Sequence, residues 1–293
     1  MTTIVTAIYN NLYGTTYGGR LSRETHYLSS LKTLMRMSEA RFVIYTNDTS
    51  RVETFLKDNI QPEVQYSIIY QDLATTPHKD KIDKLKNIEE IKQSFRCFEL
   101  QYMKIFWLMQ NLPTNETEYV YWFDAGLSYS GLIPDKYLNI DGPTYYDKYF
   151  NSPLFNNRFL YNLKHKTNDK FFVIAKNNTD FFWSHTIPQP FYNNYCADHH
   201  IIGGFFGGKK SIVQKVCNLF IDLLTQLLDS CKELYSEEQI LTALYYNYSE
   251  DFIAEFFDLW WHESNVANLF DGKEAEMLSK NKSFYKILES LNS

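Results

Sequence analysis

Cysteine is scarce in this chain: Cys97, Cys196, Cys217 and Cys231 are the only four in 293 residues, and no two share C-x-x-C spacing. That excludes a disulfide-stapled scaffold and a cysteine-rich zinc module, and it predicts reduced thiols of a cytoplasmic type. Basic residues are also short. Lys and Arg number 29 against 35 Asp and Glu, a formal net charge of -6, and no basic patch dominates. Bulk nucleic-acid binding is excluded on that balance. No apolar run approaches the ~18 residues of a spanning segment. Met1 leads directly into a strand-like segment, so no secretion signal is expected. A cytoplasmic protein follows, with contact at the inner face of a membrane as the one membrane association left open. No linker and no internal repeat appears, which predicts a single domain over 1–293.

Aromatic residues are abundant: 17% of the chain, with 23 Tyr and 22 Phe. This suits a cleft for a flat or ring-shaped ligand, and it suits compositional bias equally well. Thr2 to Tyr9 is β-branched and apolar, a first strand, and Asn10 to Arg20 reads as a Gly- and Asn-rich loop. Tyr27, Leu28, Leu31, Leu34 and Met35 recur at helical spacing. Arg41 to Thr46 and Val64 to Tyr70 read as strands, with a helix between them capped by Ser50 and Glu53. Alternation of strand and helix predicts an α/β fold with a mostly parallel central sheet flanked by helices.

Lys79 to Lys92 is charge-dense and reads as a solvated amphipathic helix. Ser94 to Gln110 is a stronger helix in which Lys104 is the one mid-helix cation, either snorkelling to solvent or reaching a phosphate. Tyr-Val-Tyr-Trp-Phe from Tyr119 is an unbroken apolar run closed by Asp124, Ala125 and Gly126. Such a run suits a strand buried on both faces, with Asp124 at its C-terminal end, where ligands bind in open α/β sheets. Leu132 to Lys170 is irregular and predicts substrate-facing loops with some short helix, and Phe171 to Ala175 and Asp180 to His185 read as short strands or turns. A helical C-terminal part is expected, with a long helix opening at Ser211 and a second capped by Ser236 and Gln239.

Several motifs carry chemistry. Gly203, Gly208 and Lys209 approach a phosphate loop, but Lys210 stands where Ser or Thr is needed, so the segment reads as a strand whose glycines admit a ligand. His199 and His200 are adjacent and point to opposite faces of a strand, so at most one of Asp198-His199-His200's imidazoles ligates a single ion. Glu237-Glu238 at a helix start is explained by the helix dipole, or supplies a general base.

Taken together, Ile-Val-Thr-Ala-Ile-Tyr with Arg20, Val-Ile-Tyr-Thr, Trp-Phe-Asp-Ala-Gly, Ile-Ile-Gly-Gly-Phe-Phe-Gly-Gly and Ser-Glu-Glu-Gln-Ile-Leu-Thr-Ala-Leu resemble the HtrL/YibB (WlaTC-like) family of bacterial glycosyltransferases. The similarity covers segments between Thr3 and Tyr248. The glycine-phenylalanine run is also similar to one in the ABO blood-group transferases, which have the GT-A fold. The resemblance implies a GT-A-like, Rossmann-related domain, with a nucleotide-binding half over 1–130 and an acceptor-side half over 131–293. It implies a hexosyltransferase-type enzyme taking a nucleotide-diphosphate sugar, UDP-linked, to a glycan or lipid-linked glycan acceptor in surface polysaccharide synthesis. Thr6, Ala7, Tyr9 and Arg20 would hold the nucleotide, Asp48 the base or ribose, and Gly203 and Gly204 would lie beside the donor sugar. Lys104 or Arg20 would face the leaving diphosphate. Asp124 would bind the diphosphate through a divalent metal, Mn²⁺ or Mg²⁺, with His262 as a second ligand, because Gly126 replaces the second acid of the family's Asp-x-Asp motif. Glu238 is the first candidate for a base and Asp198 the second. A non-catalytic glycan- or nucleotide-binding protein on the same fold is the alternative, and a nucleotidyltransferase a third.

Overall fold

A computed structural model describes residues 1–9, 23–86, 97–113, 116–125, 155–176, 187 and 201–257. In chain order these form β1 (Thr2–Ile8), α1 (Arg23–Leu34), β2 (Ala40–Thr46), α2 (Thr49–Asn59), β3 (Tyr66–Tyr70), α3 (Lys79–Lys86) and α4 (Phe98–Gln110). Then follow β4 (Tyr119–Phe123), α5 (Asn157–Thr167), β5 (Phe171–Lys176), β6 (Ile201–Lys209), α6 (Lys210–Ser230), α7 (Glu237–Asn247) and β7 (Phe252–Phe257).

The described strands make one seven-stranded sheet in the order β3-β2-β1-β4-β6-β5-β7. β6 runs antiparallel to both its neighbours, and every other pairing is parallel. The expected α/β fold with a mostly parallel sheet flanked by helices is therefore present. Alternation along each strand divides the apolar side chains between two cores. Val5, Val43, Trp122, Val173 and Phe206 pack with α4, α6 and α7. Ile4, Phe42, Tyr121, Phe123, Phe172 and Phe205 pack with α1, α2 and α5. Burial on both faces is why β4 and β6 read as continuous apolar runs.

Many of the aromatic residues fill these two cores. Trp107 of α4 stacks between Tyr45 at 4.6 Å and Trp122 at 5.9 Å. On the opposite face Phe205 meets Phe123 edge-on at 4.2 Å. Aromatic content in the described part thus serves packing first, and of these stacked rings Tyr9 is the one half-exposed at a strand end.

α6 is the one helix among the described residues long and apolar enough to cross a membrane. Its apolar residues, Ile212, Val213, Val216, Cys217, Phe220, Leu223, Leu224, Leu227 and Leu228, form a buried stripe against α4, α7 and the sheet. That stripe is the signature of a core helix.

The structure sharpens or departs from the sequence reading at several elements. α5 lies inside the largely irregular stretch in which some short helix is expected. Asn156 caps it by accepting the Phe159 N–H, and Phe159, Leu160, Leu163 and Thr167 form its buried face. The surrounding Asn, Lys and His residues hide that stripe. α2 is capped by Asp48, whose carboxylate accepts the Arg51 N–H, so Ser50 falls inside the helix. α4 begins at Phe98, later than Ser94. The Ser236–Gln239 capping box at α7 is present with both of its reciprocal hydrogen bonds. Ser236→Ala removes one of them and is expected to lower the unfolding free energy by about 1 kcal/mol, read from a urea midpoint.

Gly207 shows how tightly β4 and β6 meet. Its φ is +145°, and a Cβ there would lie 2.3 Å from the Val120 carbonyl oxygen and 2.6 Å from Tyr121 Cα. Backbone atoms cannot yield as a flexible side chain can. Gly207→Ala is therefore expected to cost roughly 1–3 kcal/mol from overpacking and strain, measured as a lowered melting midpoint.

Candidate functional site

The chain steps from β1 to β2 to β3 in one direction, then places β4 on the other side of β1. The strand order reverses between β1 and β4, and the crevice outside their carboxyl ends is where open α/β sheets bind ligands. Tyr9 follows β1 and Asp124 follows β4 at this reversal. β6, being reversed, brings its N-terminal residues Gly203 and Gly204 to the same edge. α7 starts beside them, so Glu237 and Glu238 arrive there too.

Asp124 is fixed by three contacts. Its backbone N–H donates to the Gly204 carbonyl at 2.8 Å. The Trp122 indole Nε1–H donates to Asp124 Oδ1 at 2.7 Å, and the Lys104 ammonium lies 3.1 Å from the same oxygen. Both side-chain contacts fall on Oδ1, so among the described residues Oδ2 is the oxygen open to a ligand. The Asp124 side chain is 41% exposed, whereas Lys104 is 8% and Glu237 3% exposed.

Lys104 does not snorkel to solvent. Its Nζ donates to Glu237 Oε1 at 2.7 Å and to the Gly203 carbonyl at 2.9 Å, and it lies 5.5 Å from the centre of the Trp122 ring. Burial alone would lower its pKa, but the Asp124 and Glu237 carboxylates hold it well above the ordinary lysine range. The ammonium is permanently charged and already shared between two acids. Glu238 Oε1 accepts the Gly203 N–H at 3.0 Å. Two carboxylates thus meet one ammonium, with Glu238 held nearby on the Gly203 N–H, and among the described residues acids outnumber cations here.

Gly203 has a packing reason to be glycine. A Cβ there would lie 2.3 Å from Glu237 Oε1. The space read from sequence as room for a ligand is filled by a carboxylate at Gly203 and by the Lys170 carbonyl at Gly208.

The other predicted donor-binding residues among those described lie on separate elements. Thr6 is fully buried within β1, and Ala7 is half-buried. The Tyr9 hydroxyl donates to the Gln71 carbonyl at 2.8 Å, and its ring stacks on Trp107 at 6.0 Å. Burial, with smaller contributions from Cys97 and Asp72, pushes the Tyr9 phenol up, so it is neutral. Asp48 is engaged as the cap of α2. Arg20, Gly126, Asp198 and His262 lie outside the described residues.

Sequence reasoning missed Glu237, preferring its neighbour. The available signal was Lys104 itself, since a cation in the middle of an apolar helix needs a buried carboxylate partner. As a metal centre the cluster offers little by itself. Among the described residues no group of three His, Cys, Asp or Glu side chains is arranged to hold an ion. Asp124 supplies one oxygen, which fits Mg²⁺ or Mn²⁺ only in the mode where one or two carboxylates share the ion with substrate phosphates.

Neither a scan of protein-family models nor a search of curated proteins finds a match to this chain.

Proposed function

We propose that the chain is a GT-A-like glycosyltransferase that moves a sugar from a UDP-linked donor to a glycan hydroxyl in surface polysaccharide synthesis. One observation carries this reading: Asp124, a half-exposed carboxylate, is held at the strand-order reversal of a mostly parallel sheet, beside a pair of acids at the start of α7. The sequence resemblance supports the same assignment.

In the transfer, the acceptor oxygen bonds to the anomeric carbon while the bond from that carbon to the diphosphate breaks. Asp124 Oδ2 would anchor the donor through a divalent ion that the diphosphate also binds. The ion, when bound, neutralises charge collecting on the leaving diphosphate. An acidic cluster repels a bare diphosphate, so the cation and the donor bind together. Glu238, oriented by the Gly203 N–H, is the candidate to take the acceptor's proton if the configuration inverts. The acceptor would be met in the cytoplasm or at the inner face of the membrane.

Release of free nucleotide from a UDP-sugar in the presence of Mn²⁺ tests the reading. Glu238→Gln is expected to lower kcat by about 10²–10⁴-fold with donor affinity unchanged. Loss of donor binding instead would assign Glu238 to the donor side.

A second reading, a non-catalytic glycan- or nucleotide-binding protein, is favoured by Gly126 at the second acid's position and by Lys104's engagement with carboxylates. Donor binding without nucleotide release would select it.

A further inference from the structure

We infer that Lys104 is the positioning residue of this site: with Glu237 as its counter-anchor, it fixes Asp124 so that a ligand meets that acid through Oδ2 alone. This rests on the reading of Asp124 as the ligand-binding acid, and its geometry is independent of the ligand's identity.

Three elements close on the one ammonium. From α4, Lys104 Nζ reaches Asp124 Oδ1 after β4 at 3.1 Å, the Gly203 carbonyl of β6 at 2.9 Å and Glu237 Oε1 of α7 at 2.7 Å. The ring is completed without Lys104 on two sides. The Asp124 N–H bonds Gly204, and the Gly203 N–H bonds Glu238. Asp124 and Glu238, the donor-side and acceptor-side acids of the proposed reaction, are therefore fixed relative to one another through two adjacent residues of β6 and one lysine. Lys104 also covers the Trp122 ring, whose indole N–H bonds the oxygen that Lys104 contacts. Oδ1 is thus held from two directions inside the protein.

A site built this way sets the chemistry of its ligand. An outward carboxylate oxygen in an acidic cluster accepts from hydroxyl groups or binds a cation that brings its other ligands with it. Among the described residues it offers a free phosphate no unshared cation, because Lys104 is already paired with Asp124 and Glu237.

The test uses the paired variant Lys104→Met/Glu237→Gln, which removes one charge of each sign. The Trp122 indole N–H, identified among the chain's five tryptophans by Trp122→Phe, is followed by ¹⁵N NMR. In the wild type this proton is expected downfield and slow to exchange. In the paired variant it is expected to move upfield and exchange at least ~10-fold faster, because the oxygen it bonds is no longer held. An unchanged resonance and exchange rate in the folded variant overturns the proposal. If the methionine pair does not fold, Lys104→Gln/Glu237→Gln, which keeps a donor for the Gly203 carbonyl, is read the same way. Calorimetry with UDP and Mn²⁺ forms the second arm. Affinity is expected to fall at least ~10-fold in the paired variant, about the effect of one lost charge-assisted contact. Equal affinity alongside an altered indole signal overturns the positioning role. A wild type that does not bind UDP with Mn²⁺ overturns the transferase reading instead, and the indole result still decides the role of Lys104.

Discussion

Lys104→Met will destabilise the protein by about 3–5 kcal/mol, the cost of breaking a buried ion pair from one side. Lys104 and Glu237 are almost wholly enclosed, and removing the ammonium leaves the Glu237 carboxylate in the interior without its 2.7 Å partner. The Asp124 contact adds less, because that side chain is 41% exposed and water screens it. The melting point should fall by roughly 10 °C, measured by circular dichroism or calorimetry. Adding Glu237→Gln should recover a large part of the loss, since a neutral amide costs much less to bury than an unpaired carboxylate. A single variant as stable as the wild type would mean that the three-way contact contributes nothing.

Asp124→Ala has the opposite profile: a small structural cost and a large functional one. The substitution removes an exposed side chain along with the partners of the Trp122 indole and part of the Lys104 shell. Lys104 keeps Glu237 and the Gly203 carbonyl, so the fold should survive with a loss of about 1–2 kcal/mol. Turnover of a UDP-sugar should fall by at least ~100-fold, the usual effect of losing one preorganised group that stabilises transition-state charge. Nucleotide release measured under saturating donor and Mn²⁺ checks it. Unchanged turnover in the folded variant would remove Asp124 from the chemistry.

Much of the scaffold was legible from periodicity alone. Thr2 to Ile8, Ala40 to Thr46 and Tyr119 to Phe123 are strands because apolar and β-branched side chains fill both faces, and that pattern survives in one dimension. The order of those strands is not legible locally. Nothing in Ile-Ile-Gly-Gly-Phe-Phe-Gly-Gly indicates that β6 is reversed, or that it inserts between β4 and β5. That reversal is what brings Gly203 to Asp124. Some short helix is expected in the tract that holds α5, but its bounds are not legible because its buried stripe lies among Asn, Lys and His residues with little pattern.

The site was half legible. Asp124 stood out as the lone carboxylate closing an apolar run, and its location at the strand ends is as read. Glu237 did not stand out from Glu238. Neighbouring residues on a helix point about 100° apart, and only the approach of α4 and β6 decides which of the two turns inward. Lys104 was noticed as a misplaced cation, but its three partners lie 20, 99 and 133 positions away in sequence. The Asp48 carboxylate illustrates the reverse case. Its position after β2 suited a ribose, and its first task is to cap α2.

The most direct test of the account is thermal stability of the wild type and Asp124→Asn with UDP, each with and without Mn²⁺. A ligand that binds only the folded state raises its stability by mass action, about 2.7 kcal/mol at a concentration 100 times the dissociation constant. The account predicts that UDP and Mn²⁺ together raise the wild-type melting point, that neither alone does so to the same extent, and that Asp124→Asn loses the joint effect. An equal upward shift in Asp124→Asn, or no shift in the wild type, would contradict it.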